Sequence, residues 1–392
     1  MKQERIYLDN NATTMVAPEA RDAMLPFLGE KYGNPSSLHA FGGEIRHHLA
    51  EAHDHVYDLI DALDQDDVVI NSCATEGNNT VLQGVYHTVV RNNAKNHIIT
   101  SNVEHPSVLN TCKFLETLGV QVTYLPVNKE GIVTAEQVAN AIIDRTALVS
   151  IMWANNETGA VFPVEAIAQA AKARGVLFHT DATQVIGKLP VSVRDRSIDF
   201  LTLSGHKFHA PKGVGALFVK AGVRLPPLLF GGEQMGGLRG GTHDVHNMIG
   251  LGMAALLAKK GITDEQTRIR ALRDKLESTV LREISDTGVN GGTQHRTPNT
   301  ANIWFKGVEG EAVLWDLNEH GIAASTGSAC ASGNEKASYV LLALGIGPEI
   351  AHSSIRFSLS RYTTEAEIDT ALETIRTVIE RLRNISFTYK KG

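Results

Sequence analysis

Cysteine and tryptophan are scarce in this 392-residue chain, at three each, and aromatic residues make up 6% of it. Cys73, Cys112 and Cys330 are odd in number and widely spaced, which excludes a disulfide framework and a zinc knuckle of paired cysteines. At least one of them is left free to work as a thiol. No apolar run approaches the roughly eighteen residues of a membrane span. The opening Met1-Lys2-Gln3-Glu4-Arg5 is followed by no apolar signal region, so a cytoplasmic location and no membrane partner are expected. Lysine and arginine nowhere cluster, and a formal net charge of −6 argues against direct nucleic-acid binding, which replaces counterions with clustered cations. Neither G-x-G-x-x-G after a strand nor a phosphate loop ending in Gly-Lys-Ser/Thr occurs. The glycine-rich run Gly231 to Thr242 therefore reads as a loop and not as a nucleotide cradle. There is no internal repeat.

What is present is an alternation of apolar strands and amphipathic helices in a chain long enough for two domains. Val68-Val69-Ile70 runs through Ser72 to Gly77 into a helix, and His97 to Thr100 runs through Glu104-His105-Pro106-Ser107 into another. In that second helix Val108, Cys112 and Leu115 share a face, so Cys112 reads as a packed core thiol. Further strands are expected at 120–127, 147–152, 176–179 and 199–203, with helices opening at Thr134 and Pro163. Such alternation to about Lys220 predicts an α/β fold with a mainly parallel, doubly wound sheet flanked by helices. Ahead of it, one helix is expected from Pro18 to near Gly29 and a long one from about Gly43 to Leu63. The histidines of the latter, His47, His48, His53 and His55, read as a solvated face, because a metal box would need matched spacing and an aimed carboxylate. A helical stretch from about Val245 to Ile284 leads into a smaller α+β region. That region holds a glycine- and serine-rich insertion, Ser325 to Gly333.

The polar residues that can carry chemistry follow the strand ends, where open α/β sheets place ligands. Lys207, in Ser204-Gly205-His206-Lys207, can be a solvated charge, a phosphate contact or, if desolvated, an amine nucleophile. Lys212 is a distant second, since Pro211 before it marks a turn toward the next strand. Ala74-Thr75 at a helix start offers amides and a hydroxyl to an anion, and Ser204 and His206 add donors. Asp181 closes so apolar a strand that a cation should partner it. A phosphate, a protonatable ring nitrogen and a carbonyl carbon are together the features of pyridoxal phosphate. His206 and His209 lack a third ligand nearby for a metal. Cys73 lies at a strand-to-helix junction and reads as structural. Cys330 has only glycine, serine and alanine around it in sequence, so an exposed, mobile thiol is expected there.

Eight segments in order resemble the cysteine desulfurases of the NifS/IscS type: Tyr7 to Thr14, Tyr32 to Ser37, Glu104-His105, Asn155-Asn156-Glu157, Thr180 to Gln184, Ser204 to Lys207, Ser325 to Ser332 and Ser354 to Arg361. The resemblance spans nearly the whole chain. It implies a fold-type-I transferase dependent on pyridoxal phosphate, with a large cofactor-binding domain of residues 15–260. A smaller α+β domain of residues 1–14 and 261–392 would carry the Cys330 loop. It further implies a homodimer that removes sulfur from L-cysteine, giving L-alanine and a persulfide on Cys330. Lys207 would bond the cofactor and later move the substrate's α-proton, Asp181 would pair with the ring nitrogen, and His105 would stack on the ring and move protons. Gln184 would bond the phenolic oxygen. Ala74, Thr75, Ser204 and His206 would hold the phosphate, with Thr242 reaching it from the other subunit. Asn156 would touch the cofactor and, with Arg356, orient the substrate, the guanidinium gripping its carboxylate. The run Ser325 to Cys330 matches the longer-loop branch associated with iron–sulfur scaffold proteins, which makes such a scaffold the expected sulfur acceptor and tRNA thiolation a second outlet. Beside that scaffold Cys330 would be a transient iron–sulfur ligand, a metal-binding role.

Overall fold

The computed structural model describes residues 5–91, 95–195, 197–327, 337–386 and 389. Strand β1 (Ile6–Tyr7) leads through a polar turn to α1 (Pro18–Met24), whose proline sits in the first turn, where no N–H is needed. Helix α2 (Ala40–Ile60) starts ahead of the Gly43 expected and stops short of Leu63. His39 caps its start by accepting the Gly42 N–H, and Asp61 ends it by turning left-handed at φ 54°. Its histidines point to separate partners: His53 donates to the Val68 carbonyl at 2.6 Å, while His48 meets Lys31 at 2.9 Å.

The next elements alternate as β2 (Asp67–Asn71), α3 (Ala74–Val85), β3 (His97–Ser101), α4 (Pro106–Glu116), β4 (Gln121–Leu125), α5 (Ala135–Ala141), β5 (Thr146–Ser150), α6 (Val164–Ala173), β6 (Leu177–Asp181), β7 (Phe200–Ser204) and β8 (Gly215–Val219). The strands form one sheet in the order β2-β8-β7-β6-β5-β3-β4. From β7 to β4 all pairings are parallel, as the alternation predicts, but β8 runs antiparallel to both of its neighbours. The reason is local. A single helical turn, Gly205–Lys207, and the bend at Pro211 to Gly213 join β7 to β8, too little chain for a crossover, so the strand folds back.

Helices cover both faces. On one side α2 packs against α7 (Val245–Asp264) so closely that a Cβ on Gly252 would lie 2.5 Å from Ala52. On the other, Val81, Leu82 and Val85 of α3 and Val108, Cys112 and Leu115 of α4 pack on Ile98, Leu148 and Phe200. Burial pushes the Cys112 thiol up to about 12, which makes it the inert core group expected.

A π-helical segment, Glu265–Ile269, joins α7 to α8 (Arg270–Glu283). Beyond it lie β9 (Thr287–Val289), β10 (Thr300–Phe305), α9 (Gly310–Glu319), β11 (Ile322–Ala323), α10 (Tyr339–Ala343), α11 (Pro348–His352), β12 (Ser354–Ser358) and α12 (Glu365–Ile385). Strands β12, β10 and β9 form an antiparallel sheet whose apolar face packs Ile303, Phe305 and Phe357 against Leu276 and Val280 of α8 and Ile375 and Val378 of α12. Ile6 and Leu8 join this second core, and β1 pairs in parallel with β11, so the amino-terminal strand sits with the carboxyl-terminal elements. Val340 and Leu344 instead pack into the first core. No described helix is long and apolar enough to cross a membrane.

Candidate active site

The carboxyl ends of β6 and β7 and the start of α3 come together because β6 and β7 are parallel neighbours and α3 packs across both. Asp181 closes β6 and Ser204 closes β7. Cys73, which precedes Ala74 at the start of α3, supplies no side-chain cap. Gly215 links these ends: it pairs with Ser204, and a Cβ there would lie 3.0 Å from the Cα of Cys73. The Ser204 hydroxyl is buried with no partner among the described residues. An orphaned hydroxyl next to an uncapped helix start of positive potential is the donor set an anion requires. Thr75 is exposed beside it. His206 touches the Thr13 hydroxyl at 3.1 Å. Burial, with Lys207 and Lys212 adding repulsion, pushes its pKa down to about 4, so it meets a ligand as a neutral ring.

Asp181, 7% exposed, is held through a network. Its Oδ2 accepts from Asn78 Nδ2 at 2.8 Å and its Oδ1 from the Thr183 N–H at 3.0 Å. Asn78 also donates to the Ser107 hydroxyl at 2.8 Å and accepts from the Thr202 hydroxyl at 2.6 Å. Ser107 Oγ lies 2.8 Å from His105 Nδ1, and its N–H donates to the same nitrogen at 3.2 Å. His105 Nδ1 is therefore an acceptor, and the neutral ring carries its proton on Nε2. Burial lowers the His105 pKa and outweighs the opposing charge of Asp181, with Lys207 lowering it further. No cation among the described residues is bonded to the Asp181 carboxylate, which leaves room for the positive partner its burial calls for.

Lys207 turns inward. Its Nζ donates to the carbonyls of Asn11 at 2.7 Å and Ala12 at 2.8 Å. Desolvation, with Arg356 adding repulsion, pushes its pKa down to about 8 against the pull of Asp181 and Asp9. An amine of that acidity is a usable nucleophile near neutral pH. Gln184, 5% exposed, donates from Nε2 to the same Asn11 carbonyl at 3.1 Å.

Arg356 of β12 reaches this cluster from the second core. It donates to the Asn156 carbonyl at 3.0 Å and to Asp9 Oδ1 at 2.7 Å, and its buried Nε has no partner among the described residues. Asn156 thus engages through its backbone, since Asn11 Nδ2 also donates to that carbonyl at 3.1 Å. Thr242 stands exposed just before α7, apart from these contacts. Cys330 lies outside the described residues, and with it the thiol and iron–sulfur roles expected there.

Asn11, Asn78 and Ser107 are the bonding centres of the site, and the reading of the sequence gave none of them a role. A signal existed for Asn78, a polar side chain one turn after Ala74 on the face of α3 turned to the strand ends. Glu104 belongs to the Glu104-His105 segment without a role assigned from sequence; its buried carboxyl, pushed up to about 8 by desolvation, accepts from the Ser101 hydroxyl and the Met152 N–H and so fixes the turn that carries His105. An anion seat, a carboxylate awaiting a cationic ring nitrogen and a desolvated amine for a carbonyl carbon fit pyridoxal phosphate.

The chain matches the aminotransferase class-V family over residues 6–371. It is 50% identical over 381 residues to a cysteine desulfurase of Trichormus azollae, covering 97% of this chain and 94% of that one. The cysteine desulfurase NifS of Azotobacter vinelandii is 46% identical with the same coverage. A solved NifS-like protein superposes with a TM-score of 0.90 at 36% identity, covering 97% of this chain and all of that one. Fold, site geometry and likeness over nearly the full length agree, and the chain belongs to the class-V aminotransferase family, among its pyridoxal-phosphate-dependent cysteine desulfurases.

Proposed function

We propose that this chain takes the sulfur of L-cysteine, releases L-alanine and passes the sulfur through Cys330 to an iron–sulfur scaffold protein, working as a homodimer. The observation that carries the reading is Lys207: a half-buried amine, held by the Asn11 and Ala12 carbonyls and pushed down to about 8 by desolvation, near a carboxylate that has no cationic hydrogen-bond partner among the described residues. Residues 15–260 form the cofactor domain in this reading, and residues 1–14 with 261–392 the smaller one.

When bound, pyridoxal phosphate supplies an electrophilic carbon and a protonated ring that draws off a carbanion's electron pair. The Ala74 and Thr75 amides, the Thr75 and Ser204 hydroxyls, His206 and the partner subunit's Thr242 would hold its phosphate. Asp181 would keep the ring nitrogen protonated, with Asn78 and Thr183 fixing the carboxylate. His105 would lie on the ring, its Nε2 free to exchange a proton. Gln184 would donate from Nε2 to the phenolic oxygen. Asn156 would border cofactor and substrate, and Arg356 would bind the substrate carboxylate, sharing its guanidinium with Asp9. Lys207 Nζ would take the substrate's α-proton and hold it.

The Cys330 thiolate would then attack the substrate sulfur, forming an S–S bond as the C–S bond breaks. The pair stays with the β-carbon, which takes up one proton to become the methyl group, and the α-carbon takes back the proton held on Lys207 to complete alanine. Cysteine plus thiol gives alanine plus persulfide, so no outside oxidant is needed. Incubation with L-cysteine should yield alanine in proportion to sulfur, and sulfide when a thiol reductant is added. Cys330→Ala should keep the cofactor's colour but lose sulfur release, and full turnover in that variant would reject the proposal.

A further inference from the structure

Lys188 follows Gly187 in the turn after β6, where its sequence setting suggests an ordinary surface charge. It is 6% exposed. Its Nζ donates to Gln184 Oε1 at 2.8 Å and reaches Asn11 Oδ1 at 3.5 Å. The Asn11 carbonyl can only accept, so the Gln184 end beside it is the nitrogen, and the end that Lys188 grips is the oxygen. The nitrogen is turned the opposite way, toward the Asn11 carbonyl that also receives Lys207. One N–H of Gln184 is used there, and the second is left for a ligand. Desolvation pushes the Lys188 pKa down to about 7; of the charged groups facing it, Glu265 of the π-helical segment favours the ammonium, and Lys207 and Arg356 oppose it. Arg361 lines the same cavity and lies 3.9 Å from Glu265.

We propose that Lys188 is a positioning residue for the reaction at Lys207, locking the Gln184 amide so that its N–H end alone faces the bound cofactor. The inference rests on the reading of Gln184 as donor to the phenolic oxygen. Without Lys188, Gln184 Oε1 becomes a buried acceptor lacking its donor, and only the Asn11 carbonyl is left to hold the amide. The second N–H is then no longer held in line with the phenolic oxygen, where it had stabilised negative charge. The nearby Lys207 nitrogen holds its proton more tightly in consequence.

The test is a pH titration of the holoenzyme's visible absorbance, with no substrate present. Lys188→Met should raise the midpoint by about one pH unit, and Lys188→Arg, whose guanidinium can donate to the same oxygen, should return it toward the parent value. Gln184→Ala should raise it as well, and Lys188→Met in that background should add nothing further, since both act through one amide. If Lys188→Met does not fold, Lys188→Gln, polar but too short to hold Oε1, reads the same shift. A silent Gln184→Ala rejects the reading of Gln184 and the proposal with it. A shift in Gln184→Ala with none in Lys188→Met overturns the proposal alone. Equal shifts from Lys188→Met in both backgrounds also overturn it, because Lys188 would then act as a bare charge.

Discussion

The first turns of α12 and α3 meet the same need in opposite ways. At α12 the Thr364 hydroxyl accepts the Glu367 N–H at 3.2 Å while Glu367 accepts the Thr364 N–H at 2.7 Å, and Thr134 with Gln137 closes α5 in the same manner. At α3 a glutamate stands at the matching position, but Cys73 replaces the capping hydroxyl, and Glu76 accepts instead from the Ser72 N–H and pairs with Arg239. The capped starts are built for stability. The α3 start faces the ends of β6 and β7, where its open amides lie beside the orphaned Ser204 hydroxyl and can serve an anion. The Ser204 hydroxyl near the α3 start is buried with no partner among the described residues, whereas Arg383 of α12 donates to the carbonyls of Lys306, Ser285 and Asp286.

Substitutions should respect this contrast, with site residues governing chemistry and cap residues governing stability. The largest effect is expected from Lys207→Ala: alanine formation should fall by about 10³–10⁴-fold or more with an unchanged melting temperature. Loss of fold on that substitution would break the contrast. Asp181→Asn comes next, at about 10²–10³-fold in kcat. Because the Asp181 charge raises the Lys207 pKa, its removal should also move that amine below the about 8 it now has. Cofactor uptake by the apoprotein depends on the neutral amine, so its half-maximum, near pH 8 in the parent, should shift to lower pH; a rise would contradict the assigned charges. Thr364→Ala should cost about 1 kcal/mol of stability, seen in urea unfolding, and leave turnover alone. The smallest and sharpest change is Cys73→Ser, which restores a capping hydroxyl beside Glu76. It should stabilise the apoprotein by a few tenths of a kcal/mol to about 1 kcal/mol and weaken inorganic phosphate binding, measured by calorimetry.

Most of the sheet was legible because its strands are short apolar runs between turn residues, and Cys112 could be placed from helical spacing alone. The direction of β8 was not, since strand patterning is the same for both directions and only the length of the connection decides. Site residues at strand ends, Asp181, Ser204 and Lys207, could be read from apolar runs that stop at a polar group. Asn78, Asn11 and Lys188 could not, because their importance comes from partners far away in sequence. Lys188 resembles any surface lysine until Gln184 and Asn11 are seen around it, and Arg356 gains its setting only when β12 brings it to Asp9.

Three lysines, Lys188, Lys207 and Lys212, lie near the strand ends, and the account requires one of them to bond the cofactor. Borohydride reduction of the holoenzyme, followed by proteolysis and mass spectrometry, fixes the attachment point directly. The account predicts a single pyridoxyl-phosphate adduct on the peptide containing Lys207. An adduct on Lys188 or Lys212, or none on any lysine, would contradict it.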